Sequence, residues 1–107
     1  MANYNPQLTT NLGVGESQVL TNATLAGPFS TQAIAVGRDG AQTPIVAFFN
    51  NTALLATIQA APVDVDAAYV ACTTVAAGNA LYFTTIGPFL RVSFPSDPGA
   101  TTFTVVR

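Results

Sequence analysis

Asp64 and Asp66, one residue apart in PVDVDAA, form the one close pair of carboxylates in the chain. In an extended segment, residues two apart project to the same side, which places both carboxylates near enough to share a Ca²⁺ ion. Calcium takes about six to eight oxygen ligands, however, and no glycine-punctuated acidic loop accompanies the pair. A solvated turn after Pro62 is the preferred reading. The rest of the inventory closes off most catalysis. The sequence contains neither His nor Lys, so the usual acid–base group near neutral pH and the Schiff-base amine are both missing. Cys72, the single cysteine, has no His to activate it and reads as a small buried side chain of a strand. A glycosidase would need two carboxylates facing each other about 5–10 Å apart across a cleft. Glu16, Asp39, Asp64, Asp66 and Asp97 all fall in segments read as loops or strand edges. The expectation is a non-enzyme, with no cofactor and no resident metal.

Charge is the strongest anomaly. The chain is 50% hydrophobic and 7% charged, whereas a soluble domain averages about 25% charged residues. Its three cations, Arg38, Arg91 and Arg107, are scattered and form no basic stripe, which argues against nucleic acid as a partner. Every apolar run is interrupted by Thr, Asn, Gln, Gly or Pro well short of the ~20 residues of a spanning helix. A transmembrane barrel would need longer and more numerous strands. The opening MANYNPQLTTNLG lacks a basic segment followed by an apolar one, so a product that stays where it is made, in the cytoplasm, is expected.

The elements that would carry a function are strands. Residues 1–15 are polar, without useful periodicity, and read as an extended arm; the GVG within them lacks the strand, helix and third glycine of a nucleotide-binding turn. Residues 16–107 read as one all-β domain, an antiparallel sandwich of the jelly-roll kind with about eight short strands. They are ESQVLTNATL, FSTQAIAVG, PIVAFFN, TALLATIQA, AAYVACTTV, ALYFTT, PFLRVSF and TTFTVVR. Gly37-Arg38-Asp39-Gly40, Asn50-Asn51 and Gly78-Asn79 have the composition of hairpin tips, giving meander-like hairpins. The last two strands are read as a hairpin across PSDPGA. Alternation there turns Leu90, Val92, Phe94, Phe103 and Val105 inward, and Phe89, Arg91, Ser93, Thr102 and Thr104 outward. The repeated Gly-Pro-Phe at residues 27–29 and 87–89 reads as two similar sheet entries stacked across the sandwich.

So little charge leaves Thr, Asn, Gln, Ser and Ala to cover the outside, and the contiguous runs Phe48-Phe49 and Leu54-Leu55 suggest strands covered on both faces. Assembly with a partner follows. Phe48 and Leu55 are candidate contact residues, as are Tyr4, Leu8 and Leu12, spaced as anchors along the arm. A sugar-binding sandwich is the competing reading, with Tyr4, Tyr69 and Tyr82 to stack on a ligand. The lysine-poor, Thr/Ala-rich character, the polar arm and the ending GPFLRVSF…TTFTVV, Gly87 to Val106, resemble the jelly-roll decoration or cement proteins of tailed-bacteriophage capsids. That resemblance implies a homotrimer on the virion surface, with an arm that grips the capsid. It also implies a structural role in clamping major capsid protein subunits against internal pressure. A tail or fibre component is the nearest alternative.

Overall fold

A computed structural model describes residues 9–13, 15–20, 29–31, 33–36, 45–84, 88–95 and 103–107. Within them run ten strands: β1 (Thr10–Asn11), β2 (Ser17–Leu20), β3 (Phe29–Ser30), β4 (Ile34–Ala35), β5 (Ile45–Asn50), β6 (Ala56–Ala61), β7 (Val70–Val75), β8 (Ala80–Thr84), β9 (Phe89–Phe94) and β10 (Phe103–Val106). β-branched and aromatic residues make up most of β5 and half of β9, the composition that a pleated, half-buried surface favours. A single 3-10 turn, Asp66–Ala68, is the one helical element among the described residues.

The strands form two sheets. One has the order β2-β10-β5-β8; the other runs β1-β4-β9-β6-β7, with β3 also paired to β9. Taking β3 and β4 as one interrupted strand and setting β1 aside, eight strands in chain order fall into sheets 1-8-3-6 and 2-7-4-5. These are the interleaved Greek keys of a jelly roll. Every pairing is antiparallel except that of β1 with β4. The all-β sandwich expected from the turn spacing is the architecture observed.

The connections differ from the hairpins expected. Among chain-consecutive strands, β6 and β7 pair directly, while β5–β6, β7–β8 and β9–β10 each step from one sheet to the other. The last two strands are therefore opposed layers. Leu90, Val92 and Phe94 face Phe103 and Val105 across the core, all buried as the alternation required. Phe103 packs edge-on to Phe94 at 5.9 Å and tilted against Phe48 at 5.8 Å between ring centroids. Burying each such side chain contributes roughly 1.5–3 kcal/mol. Phe29 and Phe89 lie in neighbouring strands of one sheet, not across the sandwich. The run read as a single strand from Phe29 is broken at Thr31. This buried residue takes part in the ladder with its own hydroxyl: Thr31 N–H donates to Val92 O at 2.8 Å, and Val92 N–H donates to Thr31 Oγ1 at 3.0 Å. The Gly37–Gly40 tip lies outside the described residues.

Asn50 and Gly78 serve corners instead of hairpin tips. Gly78 stands third in the Ala76–Asn79 turn with φ +74°, a conformation that favours glycine. The turn is bonded to Asn50 on both backbone groups: Asn50 N–H to Asn79 O at 2.9 Å, and Gly78 N–H to Asn50 O at 2.8 Å. The buried Asn50 side chain donates to Leu54 O at 2.9 Å and to Val75 O at 3.0 Å. Its Oδ1 accepts from Thr52 N–H and Thr52 Oγ1 at 3.0 and 2.6 Å. One residue thus holds the β5–β6 crossover and the end of β7 with its side-chain amide, and the entry to β8 with its backbone.

Removing that amide strands buried carbonyls, so Asn50→Ala is expected to lower stability by about 2–4 kcal/mol in urea unfolding. Asn50→Asp, which points an acceptor at two carbonyl oxygens, is expected to be at least as damaging. The exposed neighbour Asn51→Ala should change stability by less than about 0.5 kcal/mol.

Candidate interaction face

The two sheets present their outer faces differently. Behind the six-stranded sheet, residues 62–69 fold back over β9, and the covering is fastened by the residues first considered for chemistry. Buried Arg91 donates to Asp66 Oδ1 and to Gln59 Oε1, both at 2.7 Å, and its guanidinium lies 4.1 Å over the Tyr69 ring. Tyr69 in turn donates from its hydroxyl to Asp64 at 2.7 Å, and Thr9 donates its hydroxyl to the other oxygen of the same carboxylate. Beneath lies a small second core of Ala33, Ala61 and Tyr69, with Phe89 and Ala68 against it. Alternation correctly placed Arg91 on the outer face. The strap above it then buries the side chain. The two carboxylates are thus spent on different partners, and no group of three or more His, Cys, Asp or Glu suited to a metal occurs among the described residues.

The other described charges are also turned to the chain's own groups. Glu16 accepts from Gly13 N–H, closing a Gly13–Glu16 turn in which Gly15 adopts φ +83°. Arg107 donates from its guanidinium to Leu12 O at 2.9 Å. Arg38, Asp39 and Asp97 lie outside the described residues.

The outer face of the four-stranded sheet has no such cover among the described residues. Register sets its side chains in two rows across the strands. One row is Val19, Thr104, Phe49 and Ala80; the other is Ser17, Val106, Ala47 and Tyr82. None is charged. Val19 is 47% exposed, Phe49 39% and Tyr82 80%, whereas Ala47 between them is buried and Thr104 and Val106 are half-buried. An open, uncharged sheet face with exposed aromatic groups is what an interaction surface looks like.

The sequence-derived candidates divide against this geometry. Leu55 stands half-exposed where the chain enters β6, accessible to a partner. Phe48 is fully buried between the sheets, because alternation along β5 turns it inward and gives the outer position to Phe49. Leu12 is likewise part of the core. The segment read as arm joins the sheet at Thr10, where β1 runs parallel to β4 and Leu12 N–H donates to Ala35 O at 2.9 Å. Phe48 and Leu12 therefore serve the fold and are withdrawn as contact residues. Tyr4 and Leu8 lie outside the described residues. Of the tyrosines considered for sugar stacking, Tyr69 is buried under Arg91 and Tyr82 is open.

Cys72 is exposed, contrary to the buried position expected. Between Ile58 and Gln59 the register of β6 with β7 shifts by one residue, and Cys72 is the extra residue of that bulge. Val19 has no place among the sequence-derived candidates, Tyr82 enters there only as a sugar-stacking residue, and Phe49 only as the neighbour of Phe48. The signal for Phe49 was present, since two adjacent strand residues cannot both face the core.

No protein-family model, curated protein or solved structure matches the chain. No helix among the described residues is long and apolar enough to cross a membrane.

Two outcomes test this division of the surface. Arg91→Ala, which removes the ion pair, the ring contact and buried methylenes together, is expected to cost about 2–4 kcal/mol. Asp66→Asn, at the half-exposed end of the pair, should cost no more than about 1 kcal/mol, with a salt-dependent part. Equal losses would show that the strap is not organised around Arg91. Because both carboxylates already have protein partners, millimolar Ca²⁺ or a chelator should leave the melting temperature unchanged; a shift of several degrees that vanishes in Asp64→Asn would restore the cation site.

Proposed function

We propose that the chain is a non-enzymatic structural protein of a tailed-bacteriophage virion, a decoration protein that binds between major capsid protein subunits on the head. The observation that carries this reading is the uncharged outer face of the four-stranded sheet, with Phe49, Val19 and Tyr82 exposed on it. A soluble monomer ordinarily separates itself from its neighbours with mixed surface charge. Here the described charges bond within the chain, and the open face offers shape and apolar area. The jelly-roll topology supports the reading by analogy, since that fold recurs in viral capsid domains. The resemblance of Gly87 to Val106 to decoration proteins points the same way.

Tyr4 and Leu8 retain their proposed role as anchors of a gripping arm. The cut that tests them ends before Thr9, because deletion through residue 12 would remove Leu12 from the core and β1 from its sheet. A sugar-binding module is the second reading, favoured by the open ring of Tyr82.

Add-back of purified protein to heads stripped of accessory proteins tests the proposal. Wild type is expected to bind at saturable occupancy. Phe49→Asp should keep a native circular dichroism spectrum and lose most of that occupancy, whereas Phe48→Asp should fail to fold. Deletion of residues 2–8 should weaken attachment with the sandwich intact. Failure of the full-length wild type to bind heads overturns the capsid reading, and saturable binding on a glycan array abolished by Tyr82→Ala would put the sugar module in its place.

A further inference from the structure

Among the described residues the two strand orders end at four strands, with the two-residue β3 beside them on β9, and three of the four carry a feature that discourages addition of another strand. β7 is bent by the bulge at Cys72. β1 is two residues long. β2 is four residues long and starts directly after the Glu16 carboxylate. β8 has no such device. Ala80–Thr84 runs in unbroken register along β5 for five residues, without charge, proline or bulge, and no strand lies beyond it among the described residues. Its middle residue, Tyr82, is also the most exposed of the large apolar side chains.

We infer that β8 pairs edge to edge with β8 of a second copy, antiparallel, about a two-fold axis passing beside Tyr82. The occupant is set by the chemistry of the edge. A row of backbone donors and acceptors is matched by another extended strand, and an uncharged strand of odd length pairs with itself without repulsion. Centring on Tyr82 places it opposite the second copy's Tyr82, and Ala80 opposite Thr84 of that copy. Directly opposed aromatic residues are a favourable cross-strand pair. The outer row of Ala47 and Tyr82 then continues into its symmetry mate, and two four-stranded sheets become one sheet of eight with a continuous uncharged face. Such an isologous contact closes at two copies. A three-fold ring would instead require β8 to meet a different edge on the next copy, and the other edge of this sheet is β2 with its adjoining Glu16. The pairing goes beyond the capsid reading and stands without it.

Sedimentation equilibrium of the full chain across a concentration series tests the inference. The expected mass is twice the 11.0 kDa of one chain. Tyr82→Lys, which sets two ammonium groups against each other at the axis, is expected to raise the dissociation constant by about tenfold or more with an unchanged circular dichroism spectrum. Val70→Lys, on the edge of the other sheet, should leave it unchanged. Directly opposed residues have Cβ atoms about 4.5–5.5 Å apart. Tyr82→Cys in a Cys72→Ser background should therefore cross-link under mild oxidation, and Val70→Cys in that background should not. A monomer at every concentration overturns the pairing, as does a dimer or trimer that is indifferent to Tyr82→Lys and fails to cross-link at residue 82. Either result leaves binding to heads to be decided by the add-back assay.

Discussion

The buried amide of Asn50 is the constraint on which the sandwich depends. A jelly roll separates strands that are adjacent in sequence, so its stability rests on the corners where the chain passes between layers. Two of these corners meet at one end of the molecule, and neither can satisfy its own backbone. The β5–β6 crossover leaves Leu54 O facing inward, and β7 ends with Val75 O facing the same point. A primary amide has two N–H donors and an oxygen with two lone pairs. Asn50 places both donors on those carbonyls and both lone pairs on Thr52, while its backbone fastens the turn into β8. An aspartate cannot donate to either carbonyl, and a glutamine would carry the same groups a methylene too far. Since Asn50 is in register with Phe103, the polar node also holds the aromatic cluster of Phe48, Phe94 and Phe103 under its end of the core.

The second organising fact is the distribution of charge. Arg91 sits on an outer face, yet 7% of its side chain is exposed, against 49% for Asp66. Gln59 and the Tyr69 ring share the desolvation of the guanidinium with the carboxylate, so Arg91 works as a clasp holding residues 62–69 over β9. Behind the clasp, a face that would otherwise expose Ala33, Ala61 and Phe89 is closed by the protein's own chain. The four-stranded sheet has no corresponding strap among the described residues. Among the described residues the two outer faces thus differ in kind: one is finished internally with charge, and the other carries none.

Side-chain direction was legible in the sequence, whereas strand partnership was not. Period-two alternation in FLRVSF and FTVV assigned inward and outward residues correctly. It could not tell whether the two strands were neighbours in one sheet or opposed in two, because both arrangements bury the same residues. Gly78-Asn79 was read as a turn and is one, but a glycine at positive φ suits a corner between sheets as well as a hairpin tip. Cys72 was misplaced because its residue type was weighed above parity: with Val75 and Thr73 turned inward, alternation along β7 puts Cys72 outside. Asn50, at the end of an apolar run, looked like a solvated turn residue. Its burial depends on Leu54, Val75 and Asn79 closing around it from distant segments. The candidate contact residues followed the same rule. Phe48 and Phe49 are adjacent and chemically identical, and strand parity alone assigns one to the core and the other to the surface.

The low charge of the whole chain acquires a physical meaning from this arrangement. Charged side chains on a β protein do two jobs: they keep outer faces in water, and they guard edges against unwanted strands. In this molecule Arg91, Asp64, Asp66, Glu16 and Arg107 are all engaged in fastening the chain to itself. Among the described residues, neither job is then performed on the outer face of the four-stranded sheet or along its β8 edge, which meet at Tyr82. Leaving both unguarded at one place would be a liability for a protein that remained a monomer, since an uncharged edge invites uncontrolled strand addition. It ceases to be one if a defined contact occupies the edge and leaves the face to a larger surface. The edge supplies directional hydrogen bonding, which fixes register, and the face supplies apolar area, which favours association without specifying it. The assembly proposed for this chain thus uses the side of the jelly roll that the described charges neither cover nor guard.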